Sequence, residues 1–345
     1  MNNPNSPAGH ARFDRHIAAW LLACAVVVFA MVVLGGVTRL THSGLSMVDW
    51  QPVMGVIPPL TESEWQSTFE QYKRFPEYQK VNVGMDLDGF KSIFWFEYAH
   101  RLLGRGIGVI FVVPLIYFVF RRQVQGALSG KLLGLLILGG LQGLMGWYMV
   151  KSGLVDNPMV SQYRLTAHLA LAVIVFGAML WVALDLLYPG TEGKHKRDVF
   201  ALVTVAIVFF TMMSGGFVAG TRAGLLFGTW PLMGDSFFPA GLFTEGIWHS
   251  SFEDPVTIQF NHRLLAYLTS AVMVWFAVSR LRMHPPVQIR IGVWLMLAAL
   301  ISQVLLGVVT ILFGVPVALA ASHQGVALLL LGSTIFVLHR SASPR

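Results

Sequence analysis

The stretch EYAHRLLGR (97–105) recurs in the second half of the chain as QFNHRLLAY (259–267), and TAHLALA (166–172) is echoed more loosely by SHQGVAL (322–328). Each segment places one histidine (His100, His168, His262 or His323) near the start of a long apolar run. An imidazole among apolar helices is costly without a partner, so a histidine inside a membrane span is a functional candidate by default. One such residue could equally be an interhelical hydrogen bonder. Four at equivalent places, two per half, favour two copies of one metal or cofactor site.

The surrounding runs decide the fold. The chain has 345 residues, 55% hydrophobic and 12% charged, with a mean hydropathy of +0.64; soluble domains carry about 25% charged residues. Residues 17–38, 132–150, 165–184 and 199–220 are each close to the ~20 residues that cross a bilayer. Residues 291–339 contain no Asp, Glu, Lys or Arg and suffice for two spans, broken at Phe313-Gly-Val-Pro316. Two further spans, about 93–120 and 258–279, carry charges only in their first turns and hold His100 and His262. The expected fold is an all-α membrane protein with eight transmembrane helices.

Basic residues near span ends orient the chain N-in and C-in. Arg15, Arg121, Arg122, Lys131, Lys194, Lys196, Arg197, Arg280 and Arg282 then lie inside, while Glu62, Glu64, Glu70, Asp235, Glu253 and Asp254 lie outside. The net charge of +7 is thus a topology signal, and no basic stripe with interleaved aromatics marks a nucleic-acid partner. The polar N-terminus and the lack of a small-residue cleavage site predict that the first span is retained. With no long Arg/Ser-rich leader, the expected location is the bacterial inner (cytoplasmic) membrane. Cys24 is the only cysteine, which excludes an intrachain disulfide or a cysteine-ligated zinc or iron–sulfur site.

The internal repeat extends beyond the histidines. The first span ends in GGVTRLTHSGLSMVDWQPVMG (35–55) and the fifth in GGFVAGTRAGLLFGTWPLMG (215–234). Gly35-Gly36 matches Gly215-Gly216, and a three-residue gap brings Thr38-Arg39 onto Thr221-Arg222 and Trp50/Pro52 onto Trp230/Pro231. Gln142 and Gly146 match Gln303 and Gly307. The chain therefore reads as two pseudo-symmetric four-helix bundles, about 1–190 and 191–345. The second and fourth helices of an up-down-up-down bundle are diagonal and parallel. His100 can then face His168, and His262 can face His323, at about 10 Å depth. Two imidazoles so placed leave a slot suited to a flat macrocycle, which is bis-histidine haem ligation. A mononuclear zinc or iron site would want a third ligand, and none is evident in the second half.

Other polar residues carry weaker signals. Three residues before its histidine, the first half has Glu97 where the second has Gln259. An acid on the ligand's helix face suggests catalysis in the first half and electron relay in the second; pairing with Arg101 or Arg105 is the alternative. Arg39, Arg101, Arg105, Arg222 and Arg263 cluster at outer helix ends, where they could hold propionates or snorkel to head groups. His10, His16, His195, His284 and His339 are expected to be solvated, and His42 and His249 fall in outer loops. The long first outer loop contains a capping box, Thr61-x-x-Glu64, followed by Trp65, Phe69 and Tyr72 at helical spacing. That predicts a short amphipathic helix over the first bundle, either a lid or an interfacial anchor.

Nearly the whole chain, from GGVTRLTHSGLS through EYAHRLLGR, LQGLMGWYMV and TAHL to FNHRLLAY and the final SHQ, resembles the haem A synthase family. The resemblance implies an oxidoreductase that converts a ring methyl of haem o to the formyl group of haem a in two successive oxidations. It implies a haem b cofactor on His262 and His323, with Arg222 and Arg263 as propionate candidates. The substrate haem would lie between His100 and His168, with Glu97 at the reacting edge and Arg39, Arg101 and Arg105 as its propionate candidates. Lacking the outer-loop cysteine pair of some members, the chain looks like the alphaproteobacterial and mitochondrial branch. Implied partners are the lipid bilayer, the farnesyltransferase that forms haem o, and an electron acceptor that the sequence does not name; homo-oligomerisation is left open. A dihaem electron carrier and a haem transporter or chaperone are the competing readings, and the lone acid at one site favours the enzyme.

Overall fold

Asp86, Asp198 and Asp254 each turn a side-chain oxygen onto backbone N–H groups two or three residues ahead, and each starts a helix. Such caps satisfy donors that a helix leaves free at its first turn. The computed structural model describes residues 7–47, 57–153, 160–189 and 198–341; Trp50, Pro52, Lys194, His195, Lys196 and Arg197 lie outside them. The helices are α1 (Pro7–Leu40), α2 (Glu62–Tyr72), α3 (Pro76–Lys80), α4 (Leu87–Phe120), α5 (Ala127–Gly153), α6 (Gln162–Leu187), α7 (Val199–Thr221), α8 (Ile247–Glu253), α9 (Pro255–Arg282), α10 (Val287–Leu312) and α11 (Val317–Ser341). Eight of them (α1, α4–α7 and α9–α11) are long and apolar enough to cross a membrane. This is an all-helical, multi-pass membrane protein.

The ends follow local chemistry. The break between α10 and α11 falls on residues 313–316, where Gly314 and Val315 take positive φ (72° and 59°). The Val315 N–H turns back to the Thr310 carbonyl at 2.8 Å, and Pro316 cannot continue the helix. α4 starts at Leu87, earlier than the apolar run alone predicts. Its added residues carry Phe90, which is buried, as are Ile93 and Phe94 in the next turn, under the outer loop rather than facing lipid.

The same four helix pairs pack in each half. α1 lies against α4 and α6, with α5 against both; α7 lies against α9 and α11, with α10 against both. Each set closes a ring, so the histidine-bearing helices α4 and α6, and likewise α9 and α11, sit on diagonals. The rings meet through α1 and α6 on one side and α7 and α11 on the other. In the apolar windows of α6 and α11, 50% of residues are buried, against 6% in α5, which is the difference between a central helix and a peripheral one.

Glycines let the rings approach. A methyl group on Gly36 would stand 2.2 Å from Oε1 of Gln324 on α11, and one on Gly216 would stand 2.8 Å from Oγ1 of Thr166 on α6. At Gly220 it would meet the Gln162 backbone at 2.7 Å. At the opposite end of the molecule, Asp185 of α6 accepts from Lys131 of α5 and pairs with Nε2 of His339 of α11, both at 2.9 Å. His339 is therefore not solvated as its position near the chain end suggested. It is fully buried, because Asp185 supplies the partner that an apolar terminus would lack.

The repeat aligns more simply than the sequence suggested. Seven residues beyond the first glycine of each pair, α1 and α7 both stop at a left-handed residue, His42 (φ 53°) and Arg222 (φ 58°). By this backbone landmark Arg222 aligns with His42 without a gap, whereas residue type aligns it with Arg39. These two residues also face each other, with an Arg222 Nη2 to His42 Nδ1 distance of 3.4 Å.

Over the N-terminal end of α4 lies α2, whose capping box forms as expected: Glu64 N–H donates to Thr61 Oγ1, and the Thr61 N–H to Glu64 Oε2. Its aromatic face is buried within the protein. Phe69 and Tyr72 stack on Phe90 with centroids 5.1 Å away, and Trp65 meets Phe94 edge-on at 4.9 Å. These contacts make α2 a cover on the first bundle rather than a free lipid anchor. Truncating Phe90, which is fully buried, should cost about 3–5 kcal/mol of this local cluster. Phe90→Ala should speed protease cleavage within 57–86 while the spanning helices stay protected; an unchanged cleavage rate would mean that the cover is held by something else.

Candidate functional site

Each of the four histidine rings rests on a glycine of a neighbouring helix. A methyl group would stand 3.1 Å from His100 Nε2 at Gly35, 3.0 Å from His168 Cε1 at Gly146, 3.3 Å from His262 Cε1 at Gly215 and 2.9 Å from His323 Cε1 at Gly307. In each glycine pair, the first member seats a histidine of its own half and the second seats a helix of the other half. All four rings are half-buried, as expected of groups lining a slot rather than filling a core. His100 and His168 stand on diagonal helices of the first ring, as His262 and His323 do in the second. Among the described residues no group of three or more His, Cys, Asp or Glu converges on one point, so each pair offers two nitrogen ligands.

The pairs are held differently. Ser214 Oγ donates to the Thr211 carbonyl at 2.7 Å, which commits its proton. It therefore accepts from His262 Nδ1, also at 2.7 Å. His323 Nδ1 donates to the Gln303 carbonyl at 3.1 Å. Both rings are thus fixed with the proton on Nδ1 and the lone pair on Nε2, the arrangement that metal-ligating histidines generally show; on His323 that lone pair faces the Gln303 amide Nε2 at 3.3 Å. In the N-terminal half, His168 has only Gln142 Nε2 at 3.3–3.4 Å from its ring nitrogens. His100 makes no ring hydrogen bond among the described residues, and it alone turns Nε2 rather than Cε1 toward its glycine. The pairs thus differ at Nδ1, which among the described residues meets an oxygen acceptor in both rings of the C-terminal pair and in neither ring of the N-terminal pair.

Flanking residues anchor the outer loops. Glu97 Oε2 accepts from Ser46 Oγ and from the Met47 N–H, both at 2.7 Å, and Oε1 pairs with Arg101. Arg101 also donates to the Met47 carbonyl at 2.8 Å. In the second half, Gln259 Nε2 donates to the Phe227 carbonyl at 3.0 Å, and Arg263 donates to the carbonyls of Phe227, Thr229 and Leu232. Met47 and Phe227 are equivalent by the ungapped repeat. The Glu97/Gln259 difference therefore reflects one latch built with opposite hydrogen-bond polarity. Arg101 and Arg263, which the sequence offers as propionate holders, here have terminal nitrogens engaged by loop carbonyls. Arg39 reaches across to the Gly220 carbonyl at 3.2 Å. His249 pairs with Glu245 on the surface.

Sequence reasoning missed Ser214, which sits one residue before Gly215 and has no polar counterpart before Gly35. It also missed Glu77 on α3, which is buried beside this site. Neither lies in a repeated motif.

The family model for the cytochrome oxidase assembly protein matches residues 18–335. This chain belongs to that family. Relatives named haem A synthase include those of Nitrosospira multiformis (50% identical, covering 94% of this chain and 93% of the relative), Parvibaculum lavamentivorans (47%, 94% of each) and Paramagnetospirillum magneticum (49%, 94% and 93%). The match takes in all four histidines and their glycine seats, so the site described above lies wholly within what defines the family.

The seats are testable without any substrate. Gly307→Ala should displace His323 and lower the haem content of the purified protein. Gly130→Ala, at a position where a methyl group meets nothing within 4 Å, should leave it unchanged. Equal haem content in both would show that the glycine contact does not position the ring.

Proposed function

We infer that this chain is a haem A synthase, an oxidoreductase that converts a ring methyl of haem o to the formyl group of haem a in two successive oxidations. The observation that carries the division of labour is the unequal holding of the two histidine pairs. A resident cofactor calls for locked ligands, and the His262/His323 pair has both Nδ1 atoms tied. A substrate that must enter and leave calls for looser ones, as at His100 and His168. The donor set fits haem: two imidazoles per half, each backed by a glycine.

In this reading the half at 191–345 binds haem b through His262 and His323, and the half at 1–190 binds haem o between His100 and His168. When bound, haem b would supply one-electron transfer away from the substrate site. Glu97 is the acid of the substrate site, aimed by three donors while it fastens the loop over it. Arg39, Arg101, Arg105, Arg222 and Arg263 are the candidates for propionate binding. Haem o implies an upstream farnesyltransferase, and the oxidation implies an electron acceptor. The chain is assigned to the bacterial inner membrane, with both termini inside, an orientation that the basic residues near the span ends support.

Co-expression with a haem o-forming enzyme, followed by extraction and mass analysis of the pigments, tests the function. Haem a or a hydroxylated intermediate is expected; unaltered haem o alone would mean a carrier or transporter. Two variants sharpen this. Ser214→Ala removes the acceptor on His262 and should weaken retention of the resident haem by about 10–100-fold; retention at the wild-type level would refute the locked-ligand argument. Glu97→Gln should keep that haem and lose haem a output; normal output would reduce Glu97 to a loop fastener.

A further inference from the structure

Glu77, on the short helix α3 under the loop cover, is 5% exposed. Its Oε2 is buried and has no hydrogen-bond partner among the described residues. The charged and titratable groups facing it are Arg39 from α1, Glu97 from α4 and Tyr72 from α2. A buried carboxyl with an unpartnered oxygen is expensive when ionised, so its retention there asks for a reason. The capping and aromatic contacts that build the cover do not use it.

The two carboxyls of this site live in opposite environments. Glu97 has three donors, including a guanidinium, and its acceptor positions are filled. Glu77 has an open oxygen, an attracting Arg39 and a repelling Glu97. Burial first, and the charge of Glu97 second, push Glu77 up to about 8 against the pull of Arg39. Glu77 is thereby placed to change protonation near neutral pH. Burial also holds the Tyr72 hydroxyl well above its ordinary range, and that hydroxyl accepts from Asn82 Nδ2 at 2.7 Å. Tyr72 therefore remains a neutral neighbour and not a competing acid.

We propose that Glu77 is the proton-relay residue of the N-terminal site, passing protons released there to the outer water beneath the cover. This rests on the reading of the chain as a haem A synthase, because oxidation of a methyl carbon breaks C–H bonds, sends the electrons to the acceptor of that reaction and leaves protons to be cleared. In the relay step an arriving proton forms an O–H bond on the open Oε2 of ionised Glu77. The same O–H bond then breaks toward water, restoring the carboxylate, and nothing is consumed. Glu77 acts through its neighbours and does not touch the substrate.

The test uses the full-length protein, purified with its resident haem. Infrared spectra recorded against pH should show the C=O stretch of a buried carboxylic acid that disappears as pH rises through about 8. The band should be missing from Glu77→Gln and retained in Glu97→Gln. Haem a formation should rise with pH toward the same point in the wild type, because only the ionised form accepts a proton. In Glu77→Gln it should be slower by about 10²-fold with a flat pH profile, and Glu77→Asp should restore part of both rate and slope. Resident-haem spectra identify any variant that has simply misfolded; the wild-type titration and Glu77→Asp then decide. A band that survives in Glu77→Gln, no titrating band in the wild type, or wild-type turnover and slope in Glu77→Gln would each overturn the proposal. If the wild type makes no haem a, the parent reading fails, and the infrared titration alone decides whether Glu77 exchanges protons.

Discussion

Four imidazoles have to be held inside a bundle of apolar helices, and most of the architecture answers that requirement. Each ring needs room, which a glycine on the adjacent helix provides, and a polar neighbour, since an unsatisfied buried donor costs about 1–3 kcal/mol. Ser214 and the Gln303 carbonyl meet the second need for His262 and His323. The glycine seats bring helices close, and the second glycine of each pair extends that close approach across the two halves. Ligand placement and the joining of the two bundles thus share one pair of small residues on α1 and another on α7.

The loops are fastened from the same helix turns that carry the ligands. Glu97 and Arg101 flank His100 and grip Met47; Gln259 and Arg263 flank His262 and grip Phe227. A movement of either loop is therefore felt at a ligand one turn away. The substitution of an acid for an amide in the first half keeps this latch while adding a charge. That carboxyl is one of the influences acting on Glu77, which ties the α4 latch to the cover.

The spans, their number and the break at 313–316 were legible in the sequence because a lipid environment forces long uncharged runs and leaves little else to read. The diagonal pairing of the histidines was legible because a repeat doubles every signal. What the sequence hid is contact-dependent. The alignment of Arg222 with Arg39 looked better by residue type, but helix termination aligns it with His42. His339 looked like a chain-end histidine until Asp185, 154 positions away, was seen to partner it. Glu77 sits in a polar loop full of acids, where burial has no periodic signature.

The measurement closest to the central claim is the absorption spectrum of protein purified from cells that make no haem o. A low-spin bis-imidazole b-type spectrum is predicted, abolished by His262→Ala and by His323→Ala, and left intact by His100→Ala and by His168→Ala. A spectrum that survives both C-terminal substitutions and disappears with His100→Ala would contradict the assignment of the resident cofactor to the locked pair.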